Sequence, residues 1–152
     1  MYDRILVPTD GSAVSAAAEQ AAIAFARAHG SELVALAVGQ PQPPLVTAEA
    51  AMAIDPGLDS ETLLAAAEAA AHRVAQAAEA AGVRCTPVAV LDYAPADAIL
   101  ATAGNRGCDL IFMGSHGRRG LSRLLAGSVT QDVLARATVP VLVMRPTVPE
   151  AR

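Results

Sequence analysis

The chain has 152 residues and not one of them is lysine; all eleven cationic side chains are arginines. A Walker-type phosphate loop needs its lysine, so that class of nucleotide enzyme is excluded, and Schiff-base chemistry goes with it. Tryptophan is absent as well, and aromatic residues make up only 3%. Hydrophobic residues still reach 53%, so a sizeable core must be built from Ala, Val and Leu. No apolar run approaches the roughly 20 residues that span a bilayer, and no membrane partner is expected. The alanine-rich stretch 63–81 is interrupted by Glu68, His72, Arg73, Gln76 and Glu79. A basic face is missing too: the net charge of −4 argues against a nucleic-acid partner. The opening MYDRILVPTDG has no basic segment ahead of an apolar one, so no signal peptide is read and a cytoplasmic protein is expected. Cys85 and Cys108 lack metal-type spacing and read as two reduced, mostly buried thiols.

What is present is alternation. Short apolar runs at 4–8, 32–38, 83–90, 109–114 and 139–145 read as strands. Between them, 13–29, 60–82, 94–106 and 128–137 read as helices, with Gly30 a natural stop and Ser60 a candidate cap. The proline-rich segment 39–59 reads as a long loop of the kind that covers a site. No internal repeat or linker divides the chain, so one domain over 1–152 is expected. Strand and helix in turn predict a five-stranded parallel, doubly wound α/β sheet with helices on both faces.

Two loops carry chemistry: PTDGS after the first strand and GSHGRRG after the fourth. Ligands of such sheets bind beyond the strand C-termini where strand order reverses. A site made from both loops requires strands one and four to be neighbours. That selects the order 3-2-1-4-5 over the flavodoxin-like 2-1-3-4-5, and puts Pro87 on an edge strand, where its missing N–H does least harm. Within GSHGRRGLSRLLAGSVT, 114–130, four glycines fall in fourteen residues among Arg118, Arg119 and Arg123. Glycines let backbone N–H groups approach an anion, and a following helix offers its N-terminus. Ser128-x-x-Gln131 reads as a capping box. A phosphate cradle and a plain glycine turn both fit this spacing.

Gly114-x2-Gly117-x9-Gly127-Ser128 is similar to the G-x2-G-x9-G-[ST] signature of the universal stress protein family, in its ATP-binding branch. RILVPTDGS at 4–12 and GSVTQDVLARATVPVLVMRP at 127–146 resemble that family's first and closing segments. The resemblance implies a Rossmann-like, adenine nucleotide alpha hydrolase-like fold binding ATP, or AMP or cyclic AMP, with Mg²⁺ bridging the phosphates. It implies that Pro8, Thr9 and Asp10 line the adenosine side, with the Asp10 carboxylate near the ribose. Val38 would offer its backbone to adenine, and Met113 and Gly114 would flank the adenosine. Gly117, Gly127, Ser128, Val129 and Thr130 would hold phosphates, with Ser115, His116 and Arg118 in the same loop. No catalytic residue and no metal-ligand set is assigned. A slow ATPase or phosphotransferase is the alternative to a stress-response or signalling module. The apolar edge strand 139–145 also predicts a homodimer, unless the tail PTVPEAR covers it.

Overall fold

A computed structural model describes residues 1–41, 56–115 and 126–145. Five strands, β1 (Arg4–Thr9), β2 (Glu32–Gly39), β3 (Cys85–Leu91), β4 (Leu110–Gly114) and β5 (Val141–Met144), form one parallel sheet. Its order is β3-β2-β1-β4-β5, as the two polar loops require. Among the described residues four helices connect them: α1 (Ala13–His29), α2 (Pro56–Ala80), α3 (Pro95–Asn105) and α4 (Ser128–Arg136).

Alternation along each strand sorts the core into two layers. Ile5, Val7, Leu33, Leu110 and Phe112 face Ile23 and Ala26 of α1 and Ala78 of α2. Leu6, Val34, Leu36, Ile111 and Met113 face Ile99 and Ala103 of α3 and Val133 of α4. Alanine does what large side chains do elsewhere: Ala67, Ala70, Ala71, Val74, Ala75 and Ala78 form the buried face of α2. Pro87 stands on edge strand β3 in register with Ala35.

Helix ends follow local chemistry, with some departures from expectation. Ser12 caps α1 by accepting from the Ser15 N–H, and Gly30 closes it at φ 71°, a conformation that favours glycine. α2 begins at Pro56, so Ser60 lies inside the helix rather than capping it. A proline in the first helical turn sacrifices no helical hydrogen bond, which explains the earlier start. The loop expected over 39–59 is correspondingly shorter, since Gly39 ends β2 and 56–59 belong to α2; residues 42–55 lie outside the described residues. β3 starts at Cys85 rather than Val83 because the Val83 N–H is taken by the Ala78 carbonyl at 2.9 Å, in the turn that ends α2. β5 spans four residues, with the Pro140 carbonyl accepting from the Ile111 N–H just ahead of it. Among the described residues no helix is long and apolar enough to cross a membrane. Both thiols are free, Cys108 buried and Cys85 half-buried.

Candidate functional site

The sheet opens where its strand order reverses. β1 pairs with β2 along its whole length, Arg4 through Thr9 against Glu32 through Ala37. Against β4 it pairs only at Ile5 and Leu6, with Leu110 and Ile111. The cause is in the sequence. The Arg4 carbonyl accepts from the Asp109 N–H at 2.9 Å, so the backbone of Arg4 faces β4, and alternation puts Leu6 and Pro8 on that same side. Proline has no N–H to donate, and the ladder stops. A crevice between the C-terminal ends of β1 and β4 results, at the switch point of the fold.

One wall of this crevice is the turn Thr9–Ser12. Gly11 takes φ 72°, which favours glycine there. The Asp10 Oδ1 accepts from the Ser12 N–H at 2.9 Å, and the Thr9 Oγ1 accepts from the Gly11 N–H at 3.0 Å. Asp10 is therefore no helix cap; Ser12 has that role. The Thr9 side chain is 7% exposed and donates inward to Glu19. Its hydroxyl belongs to the turn.

The opposite wall is the start of α4, tied to the end of β4. The Gly127 N–H donates to the Ser115 carbonyl at 2.7 Å, and the Ser115 N–H donates to the Met144 carbonyl at 2.8 Å. Gly127, not Ser128, is the N-cap, and among the described residues no side chain caps the helix. The capping box is thus corrected: Gln131 sends its Nε2 to the Ala126 carbonyl at 2.7 Å, since Ser128 already lies one residue inside the helix. Thr130 is 3% exposed, and its Oγ1 is placed to donate to the Gly114 carbonyl at 3.1 Å or that of Ser115 at 3.3 Å. Its hydroxyl pins the helix to the strand. The first bond inside α4 is Gln131 N–H to the Gly127 carbonyl at 3.0 Å. The amides of Ser128, Val129 and Thr130 therefore have no partner within the helix, and they sit at the positive end of its dipole.

The apolar residues expected against a purine divide differently. Met113 is 5% exposed and packs in the core layer beside α3 and α4, because its position in β4 points that way. Val38 is half-buried, leans on the same layer and is in register with Val90. Gly114 stands at the mouth beside Ser115, Val14 and Met144. Pro8, Asp10, Gly114, Ser115 and Gly127 through Thr130 come together at this end of the sheet. His116, Gly117 and Arg118 lie outside the described residues. Glu19 and Ser15, which hold the Thr9 turn, had no place among the expected residues. Their only signal is four-residue spacing on one helix face, behind the turn.

A second concavity, about 610 Å³ and lined by Gln20, Ile23, Arg27 and Ala77 among others, is a shallow groove between α1 and α2, remote from the crevice. Among the described residues no group of three or more His, Cys, Asp or Glu is placed to hold a metal. Burial pushes the thiols of Cys85 and Cys108 up to about 11. The Ala35 backbone opposes that rise at Cys85, and Arg4 opposes it at Cys108. Thiols this resistant to ionisation are poor nucleophiles.

Comparison with known proteins agrees with this architecture. A family model, Universal stress protein family, matches residues 1–145. The chain belongs to the universal stress protein family. The universal stress protein MJ0531 of Methanocaldococcus jannaschii is 36% identical over 146 residues, covering 95% of this chain and 83% of that one. Protein MJ0577 of the same organism superposes with a TM-score of 0.80 at 28% identity, covering 98% and 99% of the two chains. A universal stress protein in complex with cAMP superposes with a TM-score of 0.66 at 26% identity, covering 95% and 97%.

Proposed function

We propose that this universal stress protein is a cytoplasmic module, acting in stress response or signalling, that binds an adenine nucleotide, ATP first among them. The observation that supports the reading is the β1–β4 ladder ending after Leu6, with the start of α4 tied to the end of β4 through Gly127 and Ser115. Adenosine lies toward Pro8 and the end of β2, with Asp10 accepting from a ribose hydroxyl. The amides of Ser128, Val129 and Thr130 meet phosphate at the helix N-terminus. The Gly114-x2-Gly117-x9-Gly127-Ser128 spacing and a relative seen with cAMP support it. Mg²⁺ would accompany the phosphates and relieve their charge. Turnover is far below the enzyme norm of roughly 1–10³ s⁻¹, since no lysine is available to the terminal phosphate. Calorimetric titration of nucleotide-free protein with ATP, AMP, cyclic AMP and GTP tests this. Heat with an adenine nucleotide and none with GTP is expected; no heat with any adenine nucleotide refutes it.

The same reading includes a homodimer through β5. The Pro140 and Met144 carbonyls both bond β4, so the backbones of Val141 and Val143 face away from the sheet. A half-buried apolar edge with outward donors invites pairing with a second copy.

A further inference from the structure

Glu19 ties the turn after β1 to α1, although no motif marks it. Its Oε1 accepts from the Thr9 Oγ1 and from the Ser15 Oγ, the latter at 2.8 Å. Thr9 and Ser15 are each 7% exposed; the Ser15 hydroxyl has the Ser12 carbonyl as a second acceptor at 3.0 Å, whereas the Thr9 proton goes to Glu19. A hydroxyl holds one proton. With the Thr9 proton committed to Glu19, the same oxygen presents a lone pair to the Gly11 N–H at 3.0 Å. That bond closes over Asp10, whose Oδ1 takes the Ser12 N–H at 2.9 Å. Ser12 in turn accepts from the Ser15 N–H at 3.2 Å. The Glu19 oxygen thus orients the Thr9 hydroxyl, which fixes the Gly11 side of Asp10, while the Ser15 hydroxyl lies between that oxygen and the Ser12 carbonyl at 3.0 Å.

We infer that Glu19 is a positioning residue for the nucleotide site, acting through the 9–12 turn to aim the Asp10 carboxylate at the ribose. The inference rests on the adenine-nucleotide reading above. It attributes the effect to the acceptor oxygen rather than to the charge. A glutamine, whose amide oxygen accepts two hydroxyl protons equally well, replaces Glu19; a leucine does not.

Titration calorimetry with ATP and with 2′,3′-dideoxy-ATP tests it on the full chain and on Glu19→Leu, Glu19→Gln, Asp10→Ala and the Asp10→Ala/Glu19→Leu double variant. Glu19→Leu is expected to weaken ATP about tenfold and the dideoxy analogue less than about twofold. Glu19→Gln stays within about twofold of the unmodified chain for both. On the Asp10→Ala background, Glu19→Leu adds less than about twofold, because its effect passes through a group already removed. Should Glu19→Leu not fold, Glu19→Asp, one methylene too short to serve both hydroxyls, carries the same expectation. Unchanged ATP affinity in the folded variant, equal weakening of both ligands, or full additivity with Asp10→Ala overturns the role of Glu19 while nucleotide binding stands. An unmodified chain that takes up no adenine nucleotide overturns the nucleotide reading itself, and the ribose role of Glu19 with it.

Discussion

The two ends of the sheet use similar residues in opposite ways. At the N-terminal end the chain spends its polar groups on itself. Arg4 pairs with Glu32 and donates to the Arg106 carbonyl, Arg84 joins Glu32 at 3.3 Å, and the Asp109 carboxylate accepts from the Asp3 and Arg4 amides at 2.8 and 3.1 Å. At the C-terminal end one ladder stops at Pro8, and three amides at the start of α4 lack helical partners. An arginine or an aspartate is therefore no sign of a ligand site until the backbone around it has been followed. Changes at the closed end should cost stability and spare binding; changes at the open end should do the reverse.

The largest effect is expected at the open end. Gly127 holds φ −60° and ψ 161°, which any residue adopts, so Gly127→Val should still fold, at a cost of about 1 kcal/mol for a poorer N-cap residue. On the proposed reading, the added side chain would stand where phosphate meets the α4 amides. Losing charge-assisted bonds to those amides should weaken ATP at least about 100-fold, roughly 2.7 kcal/mol. Calorimetry for affinity and urea unfolding for stability check both halves; a variant that unfolds without losing affinity would reverse the comparison.

Next comes the edge beside the open end. Because the Val143 N–H faces outward, Val143→Pro removes a donor from the free edge while leaving the β4–β5 bonds in place. Light scattering should give twice the 15.4 kDa chain mass for the unmodified protein and the single mass for the variant. A monomeric unmodified chain at micromolar concentration would remove the dimer.

Much of this division was legible in the sequence. Pro87 and the two polar loops selected the strand order, because a missing donor and a shared site are both topological facts. The turn residues Asp10 and Gly11 were legible for the same reason. Hydroxyls were not. Thr9 and Thr130 read as ligand groups, yet each is buried and bonded within the fold, and one-dimensional spacing does not reveal which neighbour arrives from 10 or 16 residues away. The capping box failed by one residue, since Ser128 fits the pattern while Gly127 takes the cap geometry. Glu19 was invisible because a carboxylate four residues after a serine on an alanine-rich helix looks like a solvated face.

At the closed end Asp109→Ala should cost about 1–2 kcal/mol, as two amides lose a charged acceptor at a partly exposed site. Urea midpoints measure it. ATP affinity should stay within about twofold; a larger change would show that the two ends are coupled through β1 and β4.

The last effect is a slope confined to high pH, and it too belongs to the closed end, where Cys85 opens β3 and Cys108 precedes β4. Both thiols rise from 9.0 to about 11 in the folded chain, chiefly through burial. The folded state therefore holds these protons more tightly than the unfolded state does. Below pH 9 both states keep them, and the thiols contribute no slope. Above pH 9 the unfolded chain releases protons that the folded chain retains, so stability falls as pH rises toward about 11. Urea midpoints of the unmodified chain and of a Cys85→Ser/Cys108→Ser variant, followed between pH 7 and 11, should part only in the upper half of that range. The serine variant keeps the flatter curve. Equal slopes would mean that the thiols are already open to water, and that the closed end is less sealed than its hydrogen bonds indicate.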